Sequence, residues 1–156
     1  MTEYPALVDR IAATGAFAAS RHGRPNHCLV NEYLPGQGIM PHNDGPAYHP
    51  VVATLSLGAP ILLDIYEHEQ GAYPTEPRFS ILQEPRSLLI THGAAYTQYL
   101  HGIAERATDT DAHLARVVNR ADVRDAALRD ATRLERTRRV SLTFRDVERV
   151  APRLFR

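Results

Sequence analysis

The feature that most constrains this chain is the texture of residues 27–103. Short segments rich in Leu, Ile, Val, Thr and Tyr alternate there with turn formers such as Pro35-Gly36, Gly45-Pro46, Gly58-Ala59-Pro60 and Glu84-Pro85. Such spacing predicts strands at 27–34, 38–42, 51–57, 60–67, 79–83, 86–91 and 97–103, with another at 138–147 after an interruption. Many short strands so separated imply a sandwich or barrel, and eight of them suit a jelly roll. Residues 66–78 carry Pro and Gly without apolar periodicity and read as a surface loop.

Two regions break the strand texture. Residues 4–19 place Leu7, Val8, Ile11, Ala12 and Phe17 at spacings that fit a short amphipathic helix, giving an N-terminal helical flank over 1–26. Within the domain expected at 27–150, residues 104–137 mix Leu114, Val117, Val118, Ala121, Leu128 and Leu134 with many Ala and Arg. This composition favours a helical insertion before the last core strand. On a continuous helix Arg116, Arg120 and Arg124 would form a stripe able to meet a phosphate backbone. Asp122, Asp125, Asp130 and Glu135 are interleaved with them, as on an ordinary solvated face.

At 156 residues the chain can bury a core as one domain. Eighteen Lys/Arg balance eighteen Asp/Glu, which excludes a global positive field and makes any attraction to nucleic acid a local matter. The lone Cys28 excludes an internal disulfide and a cysteine-rich zinc module, and it sits in an apolar run as an inert thiol. No apolar stretch approaches the roughly 20 residues that span a bilayer, and the N-terminus lacks a secretory pattern. An intracellular location, nucleus or cytoplasm, and no membrane partner are expected. Oligomeric state is not readable from the sequence.

Eight histidines are too many for each to be a ligand, so spacing has to select among them. In a strand, His42 and Asp44 point to one side and can present an imidazole and a carboxylate to one ion. His101 lies late in the apolar run Tyr99-Leu100-His101-Gly102-Ile103, where it needs a partner, and is the candidate third ligand. Two histidines and a carboxylate match the facial set of non-haem iron oxygenases, while zinc accepts the same ligands in hydrolytic sites. His27, His49, His68 and His92 lack paired spacing and read as surface or structural. Tyr48 fits either the substrate pocket or loop packing, and Asp64 and Tyr66, alternating on a strand, are equally open.

In the last strand Arg139, Ser141, Thr143 and Arg145 share one face. Turned inward, those arginines need an anion, and a dicarboxylate suits a planar guanidinium. Turned outward, they would be the wet face of an edge strand.

The run Asn31-Glu32-Tyr33-Leu34-Pro35-Gly36, then Met40-Pro41-His42-Asn43-Asp44, then Leu100-His101-Gly102-Ile103, then Arg139-Val140-Ser141-Leu142-Thr143-Phe144-Arg145, resembles the AlkB-like 2-oxoglutarate dioxygenases in order and spacing. The likeness covers about residues 27–103 and 138–150. Segments such as Glu84-Pro85-Arg86-Ser87-Leu88-Leu89 are most like the sixth homologue subfamily. The resemblance implies a double-stranded β-helix with His42, Asp44 and His101 holding Fe(II). It also implies Arg139 on the distal carboxylate of 2-oxoglutarate, with Asn31, Tyr33 and Arg145 near that co-substrate. The implied reaction uses O2, releases succinate and CO2, and hydroxylates or demethylates a substrate such as alkylated DNA or RNA.

The chain departs from the family pattern in three places. Ser141 stands where many members have asparagine. Pro46 stands where some repair enzymes carry a second acidic residue, which weighs against base-specific repair. Little of the usual N-terminal substrate cover fits before residue 27. The alternative function is a non-catalytic nucleic-acid or protein binding module on the same fold.

Overall fold

A computed structural model of the chain describes residues 3–67 and 74–149. Helix α1 (Glu3–Ala12) is followed by strands β1 (His27–Tyr33), β2 (Ile39–His42), β3 (Tyr48–Gly58), β4 (Ile61–Glu67), β5 (Phe79–Gln83) and β6 (Leu88–His92). Then come a turn of helix α2 (Ala94–Thr97), β7 (Tyr99–Ile103), β8 (Thr108–Asp109), α3 (Asp111–Leu114), α4 (Ala126–Arg129), β9 (Leu134–Glu135) and β10 (Arg139–Val147). The eight longer strands make two antiparallel four-stranded sheets, ordered β1-β10-β3-β6 and β2-β7-β4-β5. This is the expected jelly roll. Among the described residues no helix is long and apolar enough to cross a membrane. His68, part of the expected 66–78 loop and residue 150 lie outside the described residues.

Among the described residues three apolar clusters divide the work of holding the sheets. On the outer face of the first sheet, Val8, Ile11 and Phe17 pack on Val51, Ala53 and Phe144, so the N-terminal helix is bound into the core. The helix stops at Ala12 because Gly15 turns the chain at φ 78°, which bends Phe17 back under it. Between the sheets Tyr33, Ile61 and Ile103 pack with Ile39 and Leu63. Outside the second sheet Leu62 and Leu82 meet Leu114 and Val123 of the insertion.

That insertion corrects the expectation of a helix over 104–137. It holds only α3, a 3-10 turn at Arg120–Asp122 and α4, joined by extended chain and the small β8-β9 ladder. Tertiary hydrogen bonding overrides the local Ala/Arg propensity. The chain runs beside β5, where Ser80 N donates to Arg116 O and Val118 N to Ser80 O. Asn119 brackets Leu82 through both its amide groups. Glu84 accepts from the backbone N–H of Arg124 and Asp125. The insertion thereby covers the free edge of β5, an edge that would otherwise invite pairing with another chain. Arg116 pairs with Glu76 and Arg120 bonds the carbonyls of Leu114 and Arg129, so these two arginines and Arg124 do not form a stripe.

Smaller differences have local causes. The expected strand at 86–91 starts at Leu88 because Arg86, at φ 67°, and Ser87 complete a turn on Glu84. Thr97 belongs to α2 rather than to β7.

Candidate active site

The pairing of β2 with β7 and the chain just beyond β2 assemble the His/Asp group. His42 and His101 are cross-strand partners on β2 and β7, with ring centroids 4.5 Å apart. Asp44 follows two residues after His42, and its Oδ2 lies 4.0 Å from His101 Nε2. One ligand atom from each of the three residues lies within 4.8 Å of the others. His42 Nδ1 is 2.8 Å from the Met40 carbonyl, which only accepts, so Nδ1 donates there and Nε2 is the ring nitrogen left to face a ligand. Burial, then the neighbouring His42, lowers the His101 pKa to about 4 against the opposing pull of Asp44, so the ring is neutral at pH 7.

One wall of the cavity beside this group is the inward face of β10. Arg139, Ser141, Thr143 and Arg145 all line it, with Asn31 and Tyr33 from β1 and Gln83 from β5. Because β10 lies between β1 and β3, the edge-strand reading of its polar face is overturned. Arg145 pairs with Asp44 Oδ1 and lies over the Tyr48 ring, 5.0 Å from its centroid. Arg139 is only 2% exposed. Its Nε donates to Ser56 Oγ at 2.9 Å, its Nη2 to Gln83 Oε1 at 3.0 Å, and its guanidinium sits 5.5 Å from the Tyr33 ring centre. Burial lowers its pKa to about 10, still well above neutral pH, so it remains a cation. Among the described residues no carboxylate pairs with it.

A model of the 2OG-Fe(II) oxygenase superfamily matches residues 2–145. The chain belongs to that superfamily. Among curated relatives, it is 42% identical over 149 residues to zebrafish (Danio rerio) "Probable RNA/DNA demethylase ALKBH6", covering 91% of this chain and 60% of that protein. It is 31% identical over 128 residues to mouse (Mus musculus) "tRNA (carboxymethyluridine(34)-5-O)-methyltransferase ALKBH8", covering 81% of this chain and 18% of that one. The solved structure of OsALKBH1 superposes with a TM-score of 0.50 at 18% identity, over 88% of this chain and 60% of that chain, and supports the fold. The chain thus spans about 60% of the length of ALKBH6. It is an AlkB-like member of the oxygenase superfamily, whose cofactor and co-substrates are Fe(II), 2-oxoglutarate and O2.

The donor set fits such an iron. Two imidazoles and one carboxylate meet on one side of a cavity, and Asp44 has its second oxygen occupied by Arg145. Other sequence candidates fall elsewhere. Tyr48 packs on Arg145 and His27 rather than lining the cavity. Asp64 and Tyr66 face the other side of the second sheet, where Asp64 accepts from Ser80 Oγ at 2.6 Å. His49 lies 3.8 Å from Glu148 and His92 is exposed. The partners of Arg139 that sequence reasoning missed are Ser56 and Gln83, whose only signal was a polar side chain in an otherwise apolar strand.

Proposed function

We propose that this chain is an Fe(II)- and 2-oxoglutarate-dependent dioxygenase of AlkB type that oxidises an alkyl group carried by nucleic acid. Arg139 is the observation that carries the reading. A buried guanidinium with only neutral partners is a costly arrangement, and an anionic co-substrate relieves it. His42, Asp44 and His101 would hold the iron, and Arg139 would hold the distal carboxylate of 2-oxoglutarate with Asn31 and Tyr33 beside it. Arg145 fixes the Asp44 carboxylate, so one oxygen stays turned to the metal position. Iron, when bound, supplies O2 activation coupled to conversion of 2-oxoglutarate to succinate and CO2. The chain's own contribution is orientation and a charged pocket. The nucleic-acid substrate is suggested by the name of the ALKBH6 relative.

The test is succinate formation by purified protein with Fe(II), ascorbate and O2, alone and with methylated DNA and RNA oligonucleotides. Activity should require His42 and rise with a true substrate. Unchanged turnover in His42→Ala would sink the dioxygenase reading. Lack of stimulation by every methylated oligonucleotide would sink only the nucleic-acid substrate.

A further inference from the structure

Gln83 ends β5, on the sheet opposite Arg139, and is 3% exposed within the same cavity. Arg139 offers only N–H groups, so the amide atom that meets it must be the oxygen, Oε1. Nε2 is then the donor end of the amide, and it is buried with no hydrogen-bond partner among the described residues. Its unused protons call for an acceptor, since buried polar groups are nearly always bonded. The acceptor has to share the cavity with a guanidinium that itself lacks an anion.

We infer that Gln83 is a binding residue for the distal carboxylate of 2-oxoglutarate, donating from Nε2 while Oε1 holds Arg139 in place against Ser56. One carboxylate then satisfies three observations: the unpaired charge of Arg139, the idle amide of Gln83, and their meeting across the two sheets. A merely structural glutamine would use its second amide end on the protein. This inference rests on the co-substrate reading above.

Calorimetric titration of 2-oxoglutarate into Mn(II)-loaded protein without O2 tests it, because nothing turns over. Gln83→Leu should weaken binding roughly tenfold or more, the value of a hydrogen bond to a charged group. Mn(II) affinity and the thermal midpoint should stay as in the wild type. Gln83→Glu keeps the acceptor for Arg139 and sets a carboxylate where the ligand's would go, so it should bind more weakly still. This near-isosteric variant decides the matter if Gln83→Leu does not fold. Wild-type affinity in both variants would overturn the inference alone, as would a loss of affinity matched by loss of Mn(II) binding. Absence of 2-oxoglutarate binding to the wild type would overturn the co-substrate reading with it.

Discussion

Arg136 and Arg139 lie three residues apart, are 6% and 2% exposed, and have opposite surroundings. Arg136 makes a two-point contact with Asp109, Nε to Oδ2 at 2.8 Å and Nη2 to Oδ1 at 2.7 Å, and also bonds the Ala104 carbonyl. Arg106 adds a third contact to the same carboxylate at 2.6 Å. Arg139 has a hydroxyl and an amide oxygen instead. The fold itself neutralises the first guanidinium, in a pair that ties β8 to β9 within the insertion. It leaves the second with an unmet charge beside the His/Asp group. The chemistry of the partner, rather than burial, separates these two arginines.

Exchange of each site should therefore have opposite signatures. Arg139→Leu is expected to reduce 2-oxoglutarate affinity on the order of a hundredfold or more while the unfolding midpoint holds, since no ion pair is broken. Titration calorimetry and thermal denaturation read the two quantities. Comparable losses in both would erase the distinction. Asp109→Asn should do the reverse, costing about 3–5 kcal/mol by stranding Arg136, with co-substrate affinity unchanged in protein that remains folded. Urea unfolding measures the cost.

Acid unfolding sharpens the contrast. Burial pushes the Asp109 carboxyl pKa up, but the hydrogen bonds and charges of Arg136 and Arg106 outweigh it and hold the folded value below the ordinary one. As pH falls the unfolded chain takes up this proton first. The stabilisation is complete above the ordinary carboxylate pKa and is lost as pH drops through the folded value. Denaturation midpoints between pH 3 and 7 should thus fall less steeply in Asp109→Asn than in the wild type. Ser56→Ala should have the smallest effect. Loss of one neutral acceptor on Arg139 is worth about 1 kcal/mol, or severalfold in 2-oxoglutarate affinity, and an unchanged titration would show that Ser56 only fills space.

Much of this was legible in the linear chain because strand periodicity is local. The strand set and the shared face of Arg139, Ser141, Thr143 and Arg145 follow from an alternation of two residues, and the spacing of His42 and Asp44 marked them as a pair although Asp44 lies just beyond β2. The insertion was not legible, since Asn119 and Glu84 redirect it through bonds to residues about 40 positions away. Local propensity carries no record of such partners.

By itself, then, the sequence determined which side chains travel together, His42 with Asp44 and Arg139 with Arg145, while the pairing of β2 with β7 brought His101 to the first pair. Alternation cannot say which face of a strand is inside. Only the strand order, with β10 between β1 and β3, turned the polar face of β10 into a cavity wall. Only the meeting of two sheets brought Gln83 to Arg139, because that contact spans 56 residues and two separate strands.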